Sequence, residues 1–248
     1  CLPKPVVGIV AVVWDGRVRS CPRGVPGVRS WVGRGSGVGT RGKEGKEKKG
    51  GYRLRIESWN IGTLTGKSIE LAKILQKRKV NIACVQETRW AGSKERNADG
   101  YKLWYSGVVR SKNGVGILVD RDLRGSVVEV RRVNNRLIFI KLVIGECTLN
   151  VVSAYMPQTG LDEEVKRRFW EGLDEIVRSI PLTERLFIGG DFSGHIGAAA
   201  GSYGEVHGDF GLGNSNRGGT SLLDFAKDFE LVIANSTFPK REEYLVTF

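Results

Sequence analysis

Four short segments hold the residues best suited to chemistry: Ser58-Trp59-Asn60, Val85-Gln86-Glu87-Thr88-Arg89-Trp90, Ser153-Ala154-Tyr155-Met156-Pro157 and Gly189-Gly190-Asp191-Phe192-Ser193-Gly194-His195. Each sets a polar or acidic residue at or just past the end of an apolar, β-branched run. A loop that takes its carboxylate from a buried strand is held rigidly by that strand, as a metal or phosphate site requires. One acid at a strand end is commonplace, but four ordered polar strand ends point to one site at one sheet edge. The matching chemistry is phosphodiester hydrolysis, which needs charge neutralisation on the phosphate, an activated water and donors for the developing oxyanion. Glu87 is the natural ligand for Mg²⁺, an ion that favours few carboxylates plus waters and phosphate oxygens. Asn60 could hold a ligand or a water through its amide. Asp191 lies among Gly189, Gly190, Gly194 and Gly197, which would let the backbone approach a substrate closely. Tyr155 could donate its hydroxyl to a phosphate oxygen, and His195 could act as a general base. Taken singly, each has an ordinary reading: a solvated acid, a turn asparagine, a glycine turn, a half-buried core tyrosine, a surface histidine.

The elements that must position these groups can be read from periodicity. Residues 53–59 alternate and read as a first strand, and Ile69, Leu71, Ala72, Ile74 and Leu75 share one face of a helix over 67–79. A short apolar strand over 80–86 then ends at Glu87. This βαβ opening brings the two strands to one edge if they are parallel. Strands follow over 101–106, 115–119, 127–133, 137–144 and 147–155, with Asn113-Gly114 and Asn134-Asn135 as turns. An amphipathic helix over 163–179, a buried strand over 186–190, a helix over 221–229 and strands over 231–234 and 243–248 complete the reading. Many strands with interspersed helices indicate a layered α/β domain.

In this order, Trp59-Asn60-Ile61-Gly62, Gln86-Glu87-Thr88-Arg89-Trp90, Ser153 to Gln158 and Gly190 to Gly197 resemble the motifs of the endonuclease/exonuclease/phosphatase superfamily. That superfamily includes exonuclease III, abasic-site endonucleases and deoxyribonuclease I. Within it the sequence is most similar to the LINE-type retrotransposon endonuclease and craniofacial development protein 2-like branch. The resemblance covers residues 53–248 and implies a four-layer sandwich, two packed β-sheets flanked by helices. It implies that Asn60 supports the metal ligand, that Glu87 binds Mg²⁺ (with Mn²⁺ as a substitute), that Tyr155 contacts the scissile phosphate, and that Asp191 orients or deprotonates the attacking water. DNA, with RNA as an alternative, is the implied partner. Two departures stand out. Ser193 occupies the place of the family's asparagine in Gly-Asp-Phe-Asn, leaving a shorter donor. The family's late Asp and Asp-His pair has no counterpart before Phe248, so a domain incomplete at its C-terminal end, weak or inactive, is expected. A non-catalytic nucleic-acid-binding remnant and a phosphatase acting on inositol phosphates or other small phosphoesters are the competing readings.

Substrate-facing cations are expected around the site. Arg89, Lys94 and Arg96 follow Glu87 in what reads as a loop, Trp90 is placed for stacking, and Arg110 and Lys112 form a second basic turn. Such phosphate contacts give salt-dependent, sequence-tolerant binding. The chain of 248 residues has a formal charge of +12, of which about +8 falls in the first fifth. Residues 1–51, glycine-rich and without lasting periodicity, are expected to be a disordered basic leader, either a solvated tail or an attractor for nucleic acid. Residues 52–248 form the expected domain. Within the leader, Val6 to Trp14 faintly resembles a secretory signal core but lacks the cleavage pattern. Cys84 and Cys147 sit in strand-like runs as small core residues, and no pair of the four cysteines has metal or redox spacing. No apolar stretch approaches the ~20 residues of a membrane helix. A monomer in an intracellular, nuclear setting is expected.

Overall fold

The computed structural model describes residues 9–14 (backbone only), 54–109, 112–158, 160, 162–211 and 213–237. In chain order the elements are β1 (Ile9–Trp14), β2 (Ile56–Asn60), α1 (Ser68–Arg78), β3 (Ile82–Gln86), β4 (Gly92–Ala98), β5 (Tyr101–Gly107), β6 (Val115–Asp120), β7 (Val127–Arg132), β8 (Leu137–Ile144), β9 (Cys147–Tyr155), α2 (Glu163–Arg178), β10 (Arg185–Asp191), α3 (Arg217–Asp228) and β11 (Leu231–Ile233). They build a six-stranded sheet, ordered β11-β1-β10-β9-β8-β7, and a five-stranded sheet, ordered β2-β3-β6-β5-β4. Both sheets are mixed: β2 runs parallel to β3 and β9 parallel to β10, while the other pairs are antiparallel.

Side-chain parity sorts the core into three clusters and so into four layers. On β3, Ile82 and Cys84 face inward and Ala83 and Val85 outward. The inward set meets Ile138, Ile140, Val151, Tyr155 and Phe187 from the six-stranded sheet, forming the slab between the sheets. The outward set packs under α1 through Leu71, Ala72 and Leu75. On the opposite outer face α2 and α3 bury Phe169, Leu173, Leu222 and Ala226 against Val152, Ala154 and Ile188. The protein is therefore an α/β sandwich of two β-sheets flanked by helices.

Several boundaries depart from expectation for local reasons. Ile9–Trp14, placed by sequence in a disordered leader, is a strand hydrogen-bonded antiparallel to both β10 and β11, with Ile9 opposite Asp191. Its six residues, Ile-Val-Ala-Val-Val-Trp, are mostly β-branched, and they satisfy a strand position between two partners. The rest of residues 1–51 and the strand expected over 243–248 lie outside the described residues. Residues 92–98, read as part of a basic loop, form β4, because seven consecutive pairings with β5 supply backbone bonds that outweigh their polarity. The third helix begins at Arg217 rather than 221. The Asn216 side chain accepts the Gly219 N–H and caps a turn that Gly218 and Gly219 disguise as loop. Ile69 of α1, assigned to the buried face, is exposed.

Gly189 shows why β10 needs its glycines. A Cβ there would lie 2.8 Å from Cys84 Cβ and 2.9 Å from both Cys84 Sγ and Ser58 Cβ, across the gap between the sheets. One at Gly190 would lie 2.7 Å from the Ala154 carbonyl oxygen. These glycines admit the facing sheet and the neighbouring strand, not a substrate as the sequence suggested. Gly189→Ala is expected to lower unfolding free energy in urea by about 1–3 kcal/mol at unchanged m, the range for overpacking a dense core. A loss below about 0.5 kcal/mol would contradict this close sheet approach.

Candidate active site

The two parallel pairs end together. Asn60 stands opposite Gln86 at the ends of β2 and β3, and Tyr155 stands opposite Asp191 at the ends of β9 and β10. Even-numbered β2 and β3 residues and odd-numbered β9 and β10 residues point into the space between the sheets. Asn60, Tyr155 and Asp191 therefore emerge from that space at one rim. Just beneath them Gln86, fully buried, donates from Nε2 to Ser153 Oγ at 3.1 Å and to Ser58 Oγ at 3.2 Å, tying one sheet to the other.

At the rim one amide joins two carboxylates. Asn60 Nδ2 donates to Asp191 Oδ2 at 2.8 Å and to Glu87 Oε1 at 3.1 Å. The Asn60 amide is itself oriented by the Gly62 N–H, which donates to Asn60 Oδ1 at 3.0 Å. The Tyr155 hydroxyl donates to Glu87 Oε1 at 2.9 Å, and the Ser193 N–H donates to Asp191 Oδ1 at 3.0 Å. Arg89 closes the group with an ion pair from Nη2 to Glu87 Oε2 at 2.8 Å; its own side chain is 46% exposed against 16% for Glu87.

Backbone geometry fixes these groups as firmly as their hydrogen bonds. Glu87 (φ 57°), Arg89 (φ 55°) and Ser193 (φ 47°) all adopt the left-handed conformation, which costs a non-glycine residue on the order of 1–3 kcal/mol. Such strain persists only where the surroundings over-determine it. Here Thr88 N–H donates to the Gly114 carbonyl, Arg89 N–H to that of Asn113, and Gly114 N–H to that of Asn135. The Glu87 turn is thus laced to two other loops. Gly114, with φ +94° and room for a Cβ only 2.3 Å from Thr88 Oγ1, is irreplaceable in that lacing.

Electrostatics follow from this arrangement. Burial pushes the Glu87 carboxyl up, but hydrogen bonds from Arg89, Asn60 and Tyr155 outweigh it and hold the group below the usual carboxylate range. Burial, reinforced by the Glu87 charge, pushes the Tyr155 phenol up, so it remains a protonated donor at neutral pH. Arg136 was not anticipated. Its guanidinium lies 5.1 Å from the Tyr155 ring centroid, is only 9% exposed, and donates to the Tyr155 carbonyl at 3.2 Å and to Asn113 Oδ1 at 3.3 Å. It places a buried positive charge behind the tyrosine. No spacing in the sequence marks it, since it follows a plain Asn-Asn turn.

The remaining expected residues separate. Arg89 belongs to the central group. Trp90 is half-buried, its ring edge on Tyr105 and the Arg96 guanidinium 5.2 Å from its centroid, so that cation already occupies an aromatic partner expected to stack with substrate. Lys94 and Arg96 share one face of β4, running away from the rim rather than forming a loop. Lys112 is exposed between β5 and β6, and Arg110 lies outside the described residues. Exposed His195 makes no side-chain hydrogen bond to the four-residue group; its backbone N–H donates to Asn216 Oδ1 and its carbonyl accepts the Asn216 N–H. Buried His207 is structural: its Nδ1 accepts the Asp209 N–H, which leaves Nε2 to donate to the Gly197 carbonyl.

Could this set hold a divalent cation? Among the described residues no three His, Cys, Asp or Glu side chains gather into a metal cage. What the rim offers is hard oxygen: Glu87 Oε2, masked by a half-exposed arginine able to swing away, and Asp191 across the same amide. Two carboxylates completed by waters and substrate oxygens suit Mg²⁺, which keeps several waters and seldom takes an all-protein shell.

Several known proteins resemble this chain. Craniofacial development protein 2 from Bos taurus is 28% identical over 222 residues, 89% of this chain and 37% of its own length. The Tragulus javanicus protein of that name is 28% identical over 195 residues, 78% and 34% of the two lengths. The chain thus spans about a third of these curated relatives. Among solved structures, the endonuclease domain of TRAS1, a telomere-specific non-LTR retrotransposon, shares a TM-score of 0.48 at 18% identity, covering 71% of this chain and 70% of its own. An AP endonuclease from Archaeoglobus fulgidus gives 0.46 at 22% identity, covering 59% and 58%. The sequence pattern of the Endonuclease/Exonuclease/phosphatase family matches residues 58–195, which is more than half of the chain and contains Asn60, Glu87, Tyr155 and Asp191. With that match on a sandwich of two sheets whose strand ends meet at one rim, this chain belongs to the endonuclease/exonuclease/phosphatase family.

Proposed function

We propose that the chain is a metal-dependent phosphodiester hydrolase, a DNA endonuclease domain of retrotransposon type. The observation that carries this reading is the Asn60 amide held between the Glu87 and Asp191 carboxylates, with the Tyr155 hydroxyl on the same Glu87 oxygen. In this reading Glu87 would hold Mg²⁺ or Mn²⁺, with the Asn60 amide N–H fixing that carboxylate, and the ion when bound would neutralise charge on the phosphate. Asp191, fixed by Asn60 and by the Ser193 N–H, orients the attacking water and takes its proton at Oδ1 or Oδ2. Tyr155, kept protonated, donates to a non-bridging phosphate oxygen. Arg89, released from Glu87 Oε2, turns to the phosphodiester backbone, so nucleic acid is favoured over a small phosphoester by the cation already stationed at the rim.

Removing a carboxylate separates this reading from that of a binding remnant. Asp191→Asn and Glu87→Gln are each expected to cut plasmid nicking in Mg²⁺ by at least about 10²-fold, the scale for a positioned acid–base or electrostatic group. Duplex affinity without metal should change little. Nicking that survives both substitutions would sink the hydrolase, and an unaltered salt-dependent affinity would then favour the remnant.

Ser193 gives a test in the opposite direction. Its φ of 47° suits asparagine better than serine, and the serine hydroxyl is too short to replace an amide. Ser193→Asn is therefore expected to raise nicking by about tenfold or more without loss of stability. A rate at or below that of the parent would show that the donor at this position is dispensable.

A further inference from the structure

A cavity of about 890 Å³ opens beside the rim, between the starts of α2 and α3. It is continuous with the acid group: Ser193 and Met156 line it, the Ser193 N–H donates to Asp191 Oδ1, and the Met156 N–H donates to the Asp191 carbonyl at 2.9 Å. One wall is aromatic and apolar. Half-buried Trp170 stacks on Phe192, which sits between Asp191 and Ser193, with centroids 6.0 Å apart and planes 21° from parallel. The stack locks the indole, and Met156 and Pro157 extend that wall. Thr220, Ser221 and Arg217 also line it; the two hydroxyls donate to the Asn216 and Arg217 carbonyls at 3.2 and 3.1 Å and remain able to accept.

The charges lining the cavity are not equivalent. Glu163 and Glu164 are neutralised along α2 by Lys166, Arg167 and Arg168. Among the described residues no ion pair or hydrogen bond engages the exposed Arg217 guanidinium, so the lining holds acids already paired with cations and one cation that is not paired. A rigid aromatic face, a free guanidinium and hydroxyls around a space of this size match a base, a phosphate and a sugar respectively. Neither a small inorganic anion nor an apolar metabolite would use all three.

We propose that this cavity is the subsite for the nucleotide flanking the scissile phosphate, its base lying on the Trp170–Met156 wall and its phosphate on Arg217. This rests on the nuclease reading for its position beside Asp191, but it is tested by binding alone. The full chain is titrated into a fluorescein-labelled 20-mer duplex in EDTA, with anisotropy read at several salt concentrations. Arg217→Glu is expected to weaken binding about tenfold and to lower the salt slope by about one. Thr220→Trp, which fills the mouth from an exposed position, is expected to weaken it several-fold with an unchanged melting temperature. Arg124→Glu, an exposed charge reversal outside the cavity lining, should change affinity less than twofold. An Arg217→Glu affinity within twofold of the parent, equal losses for Arg124→Glu and Arg217→Glu, or no duplex binding by the parent would each overturn the subsite. Failure of the nuclease reading looks different: the Arg217 effect persists while no metal supports nicking.

Discussion

Everything at the rim turns on one side-chain amide placed between two carboxylates that arrive from different sheets. Glu87 follows β3 of the five-stranded sheet and Asp191 ends β10 of the six-stranded sheet, and the Asn60 Nδ2 donates to both. Two carboxylates facing each other would repel. The amide removes that conflict by giving each an N–H, while Tyr155, Arg89 and the Ser193 N–H add further donors, so that each of the four carboxylate oxygens accepts at least one hydrogen bond. Sheet spacing must be correct to within tenths of an ångström for this bridge to form. The Gly189 approach to Cys84 and Ser58, and the Gln86 hydrogen bonds just beneath, set that spacing.

The strain at the rim fits the same logic. Three left-handed residues hold Glu87, Arg89 and Ser193 in positions that the unconstrained chain disfavours. The loops around Asn113, Gly114 and Asn135 hold the first two in place through backbone hydrogen bonds alone. A carboxylate presented on a strained, laced turn has little freedom to relax, which is the preorganisation that electrostatic catalysis relies on. Arg136 adds a charge that is buried and fixed, where Arg89 is half-exposed and held by its ion pair to Glu87. The two arginines thus serve different ends: one sets the field behind Tyr155, the other screens Glu87.

The strand ends were legible because residues 53–59 alternate and residues 147–155 and 186–190 are short apolar runs, and the parallel pairing of β2 with β3 and of β9 with β10 then brings Asn60, Tyr155 and Asp191 to one rim. Glu87 could be placed because it follows a short buried strand. What the sequence hid depends on pairing over distance. β4 is almost wholly polar and becomes a strand only because β5 lies beside it. Ile9–Trp14 looked like an isolated apolar run within a glycine-rich stretch, and its partners β10 and β11 are more than 170 residues away. Arg136 sits 19 residues from the tyrosine it supports, with no motif around it. The glycines of Gly189-Gly190 were visible as glycines, but whether they admit a substrate or another sheet is a question of packing that spacing cannot answer.

The most direct test of the shared acid site is anomalous diffraction from crystals of the full chain soaked in Mn²⁺. A single hydrated ion should appear within coordination distance of a Glu87 oxygen and on the Asp191 side of the Asn60 amide, with the Arg89 guanidinium displaced from Glu87 Oε2. An anomalous peak confined to other surfaces, with the Arg89–Glu87 pair intact at saturating Mn²⁺, would contradict the claim that these residues form one cation-binding centre.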